Sequence, residues 1–184
     1  MKLFLLDRDG VVVVNRRDNI KSADQLALIP GAAEAIARLN SAGWSVALCT
    51  NQPEVGRGAM TKQQLAAVHE ELEARLAETG ARLDLILCCT SSLKCPTRKP
   101  AGGMLRRALA HFGAVAAETP FVGDQADDLK AAFHAGCQRV LVRTGLGSKT
   151  LAQGLPAWLA PVEICDGLAQ AVDRVLAQRR SAHQ

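Results

Sequence analysis

Apolar residues fall along this chain in two alternating rhythms. Five short blocks are apolar at nearly every position: LFLL at 3–6, WSVALC at 44–49, LDLILCC at 83–89, PFVG at 120–123 and RVLVR at 139–143. A strand with one wet face alternates apolar and polar positions, whereas continuous runs of this length belong to parallel sheets covered on both faces. Between the blocks the apolar positions take helical spacing, predicting helices over 31–40, 61–79, 103–112, 125–135 and 167–178. The second predicted helix opens with Thr61 and Gln64 in capping-box spacing, sets Leu65, Val68, Leu72 and Leu76 on one stripe, and stops at Gly80. Gly113 and Gly136 end the next two, and Asp166 is the expected N-cap of the last. Strand and helix alternate throughout, which predicts an α/β fold with a doubly wound, Rossmann-like parallel sheet.

Composition narrows the picture. At 184 residues and 19.5 kDa, with 48% hydrophobic against 22% charged residues, one domain over 1–184 is expected. The net charge of +4 and a pI near 8.9 point to anionic ligands, but 3% aromatics and no tyrosine offer little on which to stack bases. A phosphorylated small molecule is therefore expected, and no nucleic acid. The six cysteines lie mostly in apolar segments, where thiols act as small hydrophobes, and a reducing cytoplasm suits them. The first apolar run meets Asp7 too early for a signal peptide, and no stretch approaches the roughly 18 apolar residues of a membrane span. With no large apolar stripe left over, a monomer that does not engage membranes is expected.

In doubly wound sheets ligands bind beyond the carboxyl ends of the strands, so the residues just past each block matter. DRDG succeeds the first at 7–10, TNQ the second at 50–52, and DQADD the fourth at 124–128. Paired carboxylates, a hydroxyl and an amide, and the lysine of TRKP suit phosphoryl transfer. Asp7 can present one oxygen to phosphorus as nucleophile while its other oxygen and Asp124 hold Mg²⁺. Asp9 is placed to protonate the leaving alkoxide and then to activate water, help typically worth about 10² to 10⁴ in rate. Gly10 permits a tight turn that brings backbone N–H groups toward the phosphate. Thr50 and Asn51 can donate to its oxygens, and Lys99 adds fixed positive charge.

DRDGV, LCTNQ, TRKP and VGDQADD, in this order, resemble the four motifs of the haloacid dehalogenase-like phosphatases, over residues 1 to about 150. With GRG at 56–58 and LVRTG at 141–145, the chain is similar to the histidinol-phosphate and D-glycero-D-manno-heptose 1,7-bisphosphate phosphatase subfamily, the heptose branch more so. The resemblance implies removal of a C7 phosphate on the way to the nucleotide-activated heptose of lipopolysaccharide core. It implies Asp7 as nucleophile and Asp9 as acid and base with a metal-binding carbonyl. Asp124 is implied as the second carboxylate ligand of Mg²⁺, and Asp128 as the residue orienting Lys99. Gln52 is placed with the phosphate-binding residues, and Arg57 and Arg98 on substrate phosphate or sugar. Histidinol phosphate, a nucleic-acid 3′-phosphate, or a phosphorylated ligand bound without turnover are the alternatives. A signalling receiver domain is disfavoured because Lys99 precedes a helix.

No insertion is long enough for a separate cap domain, so residues 11–21, 52–58 and 88–98 are expected to rim an open site. Three departures from the family pattern bear on that rim. Its zinc loop pairs Cys-x-His with Cys-x-Cys, whereas CCTSSLKCPTRKP keeps Cys89 and Cys95 but has Ser91 and Thr97 at the other two positions, so no zinc is expected. Pro53 and Glu54 replace a usual Ser-Gly, removing a donor and adding a charge that repels anions. The run Val11–Val14 lacks an Asn common just after the first motif. Asp127 is expected to cap or solvate its helix, and His69, His111, His134 and His183 are assigned no catalysis. Arg16, Arg17, Arg106, Arg107 and the Arg179-Arg180 tail are expected on solvated faces.

Overall fold

A computed structural model describes residues 1–181 of the chain; His183 and the side chains of Arg179 and Arg180 lie outside the described set. Six strands, β1 (Leu3–Leu6), β2 (Ser45–Asn51), β3 (Leu85–Cys89), β4 (Pro120–Gly123), β5 (Gln138–Val142) and β6 (Glu163–Cys165), form one parallel sheet in the order β3-β2-β1-β4-β5-β6. The helices are α1 (Ala32–Ser41), α2 (Pro53–Gly56), α3 (Lys62–Ala77), α4 (Gly103–Phe112), α5 (Ala126–Ala135), α6 (Gly147–Ala152) and α7 (Leu168–Ser181). The doubly wound α/β architecture expected from the apolar pattern is thus the one found.

Burial follows the period of a strand. Phe4, Leu6, Val46, Leu48, Val122, Val140 and Val142 face one layer, where residues of α1, α3 and α7 cover them. Leu3, Leu5, Ala47, Cys49 and Phe121 face the other, beneath α4 and α5. Every residue of β1 is buried, which is why its sequence shows no alternation. The predicted capping box of α3 is present, with Thr61 Oγ1 accepting from the Gln64 N–H and Gln64 Oε1 from the Thr61 N–H.

Three elements are absent from the sequence pattern. Strand β6 is a three-residue edge with one exposed apolar side chain, and α2 and α6 are too short to show a period. Strand β2 also runs two residues past the apolar block, since Thr50 and Asn51 pair with Cys88 and Cys89 although their side chains are polar. Between β1 and β2 the chain forms only a loop, a short 3₁₀ turn and α1, and between β2 and β3 only α2 and α3. The order of strands reverses at β1, so β2 and β4 flank it and all three release their chains at the same edge.

Candidate active site

Asp7 emerges from β1 and is 5% exposed. Its Oδ1 receives the Arg8 N–H at 2.7 Å and faces Lys99 Nζ at 2.8 Å, while Oδ2 has no such partner among the described residues. Lys99 Nζ also meets Asp128 Oδ1 at 2.7 Å, and Asp128 Oδ2 accepts the N–H groups of Asp124 and Gln125 at 3.2 and 3.0 Å. Both Asp128 oxygens are engaged, and the residue bridges α5 to the lysine. Asn51 clamps the lysine's backbone from β2, donating to the Lys99 carbonyl at 3.0 Å and accepting its N–H at 3.1 Å. The Asn51 carboxamide, expected at the phosphate, is therefore first a support for Lys99.

Asp124 ends on the same edge. Its Oδ2 accepts from Asn15 Nδ2 at 2.9 Å and from the Leu146 N–H at 2.8 Å, but its Oδ1 is buried without a partner. A buried carboxylate oxygen left unsatisfied is costly unless a cation meets it. Ligand oxygens of Asp7, Asp124 and Asp128 lie within 4.8 Å of one another. Because Lys99 and two N–H groups occupy Asp128, the donors open to a metal are Asp7 and Asp124. Burial, with Asp128 nearby, pushes the Asp124 carboxyl up to about 7; burial outweighs Lys99 and pushes Asp7 up to about 8. Carboxylates crowded in this way fit a hard divalent cation with oxygen ligands.

Gly10 has φ of 84°, and its N–H donates to the Val13 carbonyl at 2.7 Å. Its own N–H is thus not among the backbone groups that the turn can offer a phosphate. The glycine is required for another reason: a Cβ there would lie 2.0 Å from Asp124 Oδ2.

Arg8, between the two aspartates, is 1% exposed, and motif spacing alone does not single it out. Its guanidinium forks onto Asp9, Nε to Oδ2 at 3.2 Å and Nη2 to Oδ1 at 3.1 Å, and donates to Gln52 Oε1 at 2.9 Å. Gln52 Nε2 donates to Asp9 Oδ2 and to Thr50 Oγ1, both at 2.9 Å. Both amide hydrogens of Gln52 are thereby engaged, correcting its placement on the phosphate: it positions Asp9 and Thr50. Accepting from Gln52 leaves the Thr50 hydroxyl hydrogen free to donate. His69 Nε2 lies 3.5 Å from Arg8 Nη1, and burial together with that guanidinium lowers its pKa to about 4, so the ring is neutral and can accept.

Asp7, Asp9, Thr50, Gln52, Lys99 and Asp128 open into a cavity of about 600 Å³ whose wall takes residues from all three expected rim segments. Asn15 and Asn19 come from the first, Glu54 and Arg57 from the second, and Lys94, Cys95 and Arg98 from the third. Asn15 and Asn19 are likewise not singled out by the sequence: the family pattern puts its Asn within 11–14, and this chain places one a residue later. Glu54, expected to repel an anion, is partnered: its Oε1 accepts from Asn19 Nδ2 at 2.7 Å and pairs with Arg57 Nη1 at 3.3 Å, which offsets part of its charge. Arg98 Nη1 donates to the Ser91 carbonyl at 2.6 Å, bracing the third rim segment. Asp127 pairs with Lys130 at 3.0 Å on α5.

A family model described as HAD-hydrolase-like matches residues 96–171. A D-glycero-β-D-manno-heptose-1,7-bisphosphate 7-phosphatase of Bordetella bronchiseptica is 41% identical over 179 residues, 96% of this chain and 98% of that protein. A protein of the same name from Pseudomonas aeruginosa is 44% identical over 156 residues, 84% and 88% of the two chains. The crystal structure of the B. bronchiseptica D,D-heptose 1,7-bisphosphate phosphatase, complexed with magnesium and phosphate, superposes with a TM-score of 0.92 at 41% identity, covering 97% of this chain and 99% of that one. The phosphatase from Burkholderia thailandensis gives 0.77 at 35% identity, covering 96% and 99%. With the carboxylates and the lysine gathered at one sheet edge, the chain belongs to the haloacid dehalogenase-like phosphatases, in the family of the heptose-1,7-bisphosphate 7-phosphatases.

Proposed function

We propose that this enzyme removes the 7-phosphate of D-glycero-β-D-manno-heptose 1,7-bisphosphate, with Mg²⁺ as cofactor and an aspartyl phosphate on Asp7 as intermediate. The observation that carries the chemistry is the Asp7–Lys99–Asp128 chain beside Asp124, whose buried Oδ1 lacks a partner. The relatives' names carry the substrate. Asp7 and Asp124, with the Asp9 carbonyl, would hold the ion, which when bound offsets the repulsion between carboxylate and phosphate.

Asp7 attacks phosphorus with one carboxylate oxygen, and the other is the one that would hold the ion. Lys99, fixed from three sides, holds positive charge where the transferring phosphoryl group becomes most negative, and the Thr50 hydroxyl donates to one of its oxygens. Asp9, forked by Arg8 and braced by Gln52, gives a proton to the departing sugar oxygen and later takes one from the water that cleaves the acyl phosphate. Arg57, Arg98 and Lys94 line the wall where the rest of an anionic sugar would lie. A single domain working as a cytoplasmic monomer on a small molecule suits this reading; among the described residues no helix is long and apolar enough to cross a membrane.

Phosphate release from heptose bisphosphate, histidinol phosphate and a 3′-phosphorylated oligonucleotide, each with Mg²⁺ or EDTA, tests the proposal. The expected outcome is Mg²⁺-dependent turnover of the heptose bisphosphate well above the others, abolished by Asp7→Asn. Faster histidinol phosphate turnover overturns the substrate, and an active Asp7→Asn enzyme overturns the intermediate.

A further inference from the structure

Cys89 closes β3, and Cys95 lies in the loop that carries Lys94 and Arg98 to the cavity wall. Both thiols are free, and their sulfurs stand 3.5 Å apart. The Thr97 hydroxyl sits between them, 3.5 Å from Cys95 Sγ and 3.8 Å from Cys89 Sγ. Cys89 is 4% exposed, whereas Cys95 is half-buried and faces the cavity.

We propose that this pair is an oxidation site: a peroxide entering the cavity joins Cys89 to Cys95 as a disulfide, which a reducing thiol reopens. The Cys95 thiolate attacks one oxygen of hydrogen peroxide, the O–O bond breaks, and the other oxygen leaves as hydroxide, which a proton converts to water. The Cys89 sulfur then attacks the sulfenic sulfur and displaces a second water. Two thiols and one peroxide thus give one disulfide and two waters. Reduction by thiol–disulfide exchange restores both cysteines.

Cys95 is the attacking partner because the Thr97 hydroxyl lowers its pKa to about 7, aided by Cys89 and by the N–H groups of Thr97 and Arg98. Burial pushes Cys49 and Cys137 up to about 12 and Cys88 and Cys165 up to about 11, so none of these competes. A disulfide brings its sulfurs to about 2.05 Å, which draws the two thiols together by roughly 1.5 Å. Lys99 resists that movement, since Asn51 holds its backbone and Asp7 and Asp128 its ammonium group. The displacement therefore falls on residues 91–98, including Arg98, which is tied to Ser91. On the proposed phosphatase function, oxidation raises KM and spares kcat.

The test treats metal-free full-length protein with hydrogen peroxide, alkylates the remaining thiols and maps the digest by mass spectrometry. The expected product is one linkage, Cys89 to Cys95, lost on treatment with dithiothreitol. The oxidised enzyme should show KM for the bisphosphate raised about threefold or more, with kcat within about twofold. Cys95→Ser should remove both responses. A bond from Cys88, an irreversible sulfinate at Cys95, or no cross-link overturns the site. A cross-link with unchanged KM overturns its effect on the enzyme. The mass map is independent of substrate, so failure of the proposed phosphatase function is seen separately, as absent turnover in the reduced protein.

Discussion

At the scale of single residues, the positions that matter most beside the carboxylates are those that hold them. Arg8 is the clearest case: an arginine buried between two aspartates engages Asp9 through both nitrogens of its fork and orients Gln52 as well. A lysine keeps the charge but cannot make that bidentate contact. Arg8→Lys is therefore expected to lower kcat by about 10- to 100-fold, a loss of the size caused by misplacing a reacting group by an ångström. KM should change little, because the cations of the cavity wall, Arg57, Arg98 and Lys94, are untouched. Steady-state kinetics separate the two quantities, and a variant with normal kcat would show that Asp9 needs no such brace. The sequence held a signal for this role, since DRDG comes directly after a fully apolar strand and an arginine there is carried inward with its neighbours. Gln52 and Asn51 were legible as site residues but not in their tasks, because whether a carboxamide faces a ligand or a neighbouring side chain depends on partners distant in sequence.

At the scale of elements, the loops leaving β1 and β5 meet over Asp124, and two glycines make the meeting possible. Gly145 has φ of 58°, and a Cβ there would fall 2.3 Å from Asp124 Oδ2 and 2.4 Å from the Gly10 Cα. Neither neighbour can yield without moving the carboxylate or the first-motif loop. Gly145→Ala is expected to raise the Mg²⁺ concentration for half-maximal activity by about 10- to 100-fold, the usual cost of disturbing groups around a metal ligand. Gly154 supplies the control, with φ of 81° but nothing within 4 Å of a Cβ, so Gly154→Ala carries the backbone cost alone. A similar shift in both variants would refute the crowding argument. The third rim segment allows a second prediction. Ser91, at the position of a zinc-binding histidine in the family pattern, forms a local turn with Leu93, accepting its N–H at 3.1 Å and donating to its carbonyl at 3.0 Å. Elemental analysis of protein purified without chelator should find far less than one zinc per chain, and a stoichiometric ion would show that Cys89 and Cys95 recruit other ligands. The long elements were legible because burial on two faces and amphipathic stripes leave strong periods. Strand β6, α2 and α6 were not, because three to six residues at an edge or corner are fixed by the neighbours they pack on.

At the scale of the whole molecule, the doubly wound sheet gathers like charges that the chain keeps more than a hundred residues apart, and this ties stability to pH and metal. Asp7 and Asp124 lie with Asp128 in a buried cluster in which Lys99 is the facing cation. Without metal, burial raises Asp7 from 3.8 to about 8 and Asp124 from 3.8 to about 7. Between those values the folded protein binds more protons than the unfolded chain, so its stability falls as pH rises. The contribution is fully present below about pH 4 and is lost as pH climbs through the folded values. Lys99, held charged chiefly by Asp128, stays protonated in both states over this window and adds no slope. On the proposed site Mg²⁺ would bind the ionised pair, competing with protons and stabilising the fold by mass action only where the carboxylates can ionise. Thermal unfolding in EDTA should thus show Tm falling by several degrees from about pH 5 to about pH 8. Saturating Mg²⁺ should restore most of the loss at the higher pH and have little effect at the lower. Asp124→Asn, which removes one of the two carboxylates, should flatten the metal-free slope and abolish the Mg²⁺ increment. Equal increments at the two pH values would mean that the ion, if it binds, does so away from this cluster.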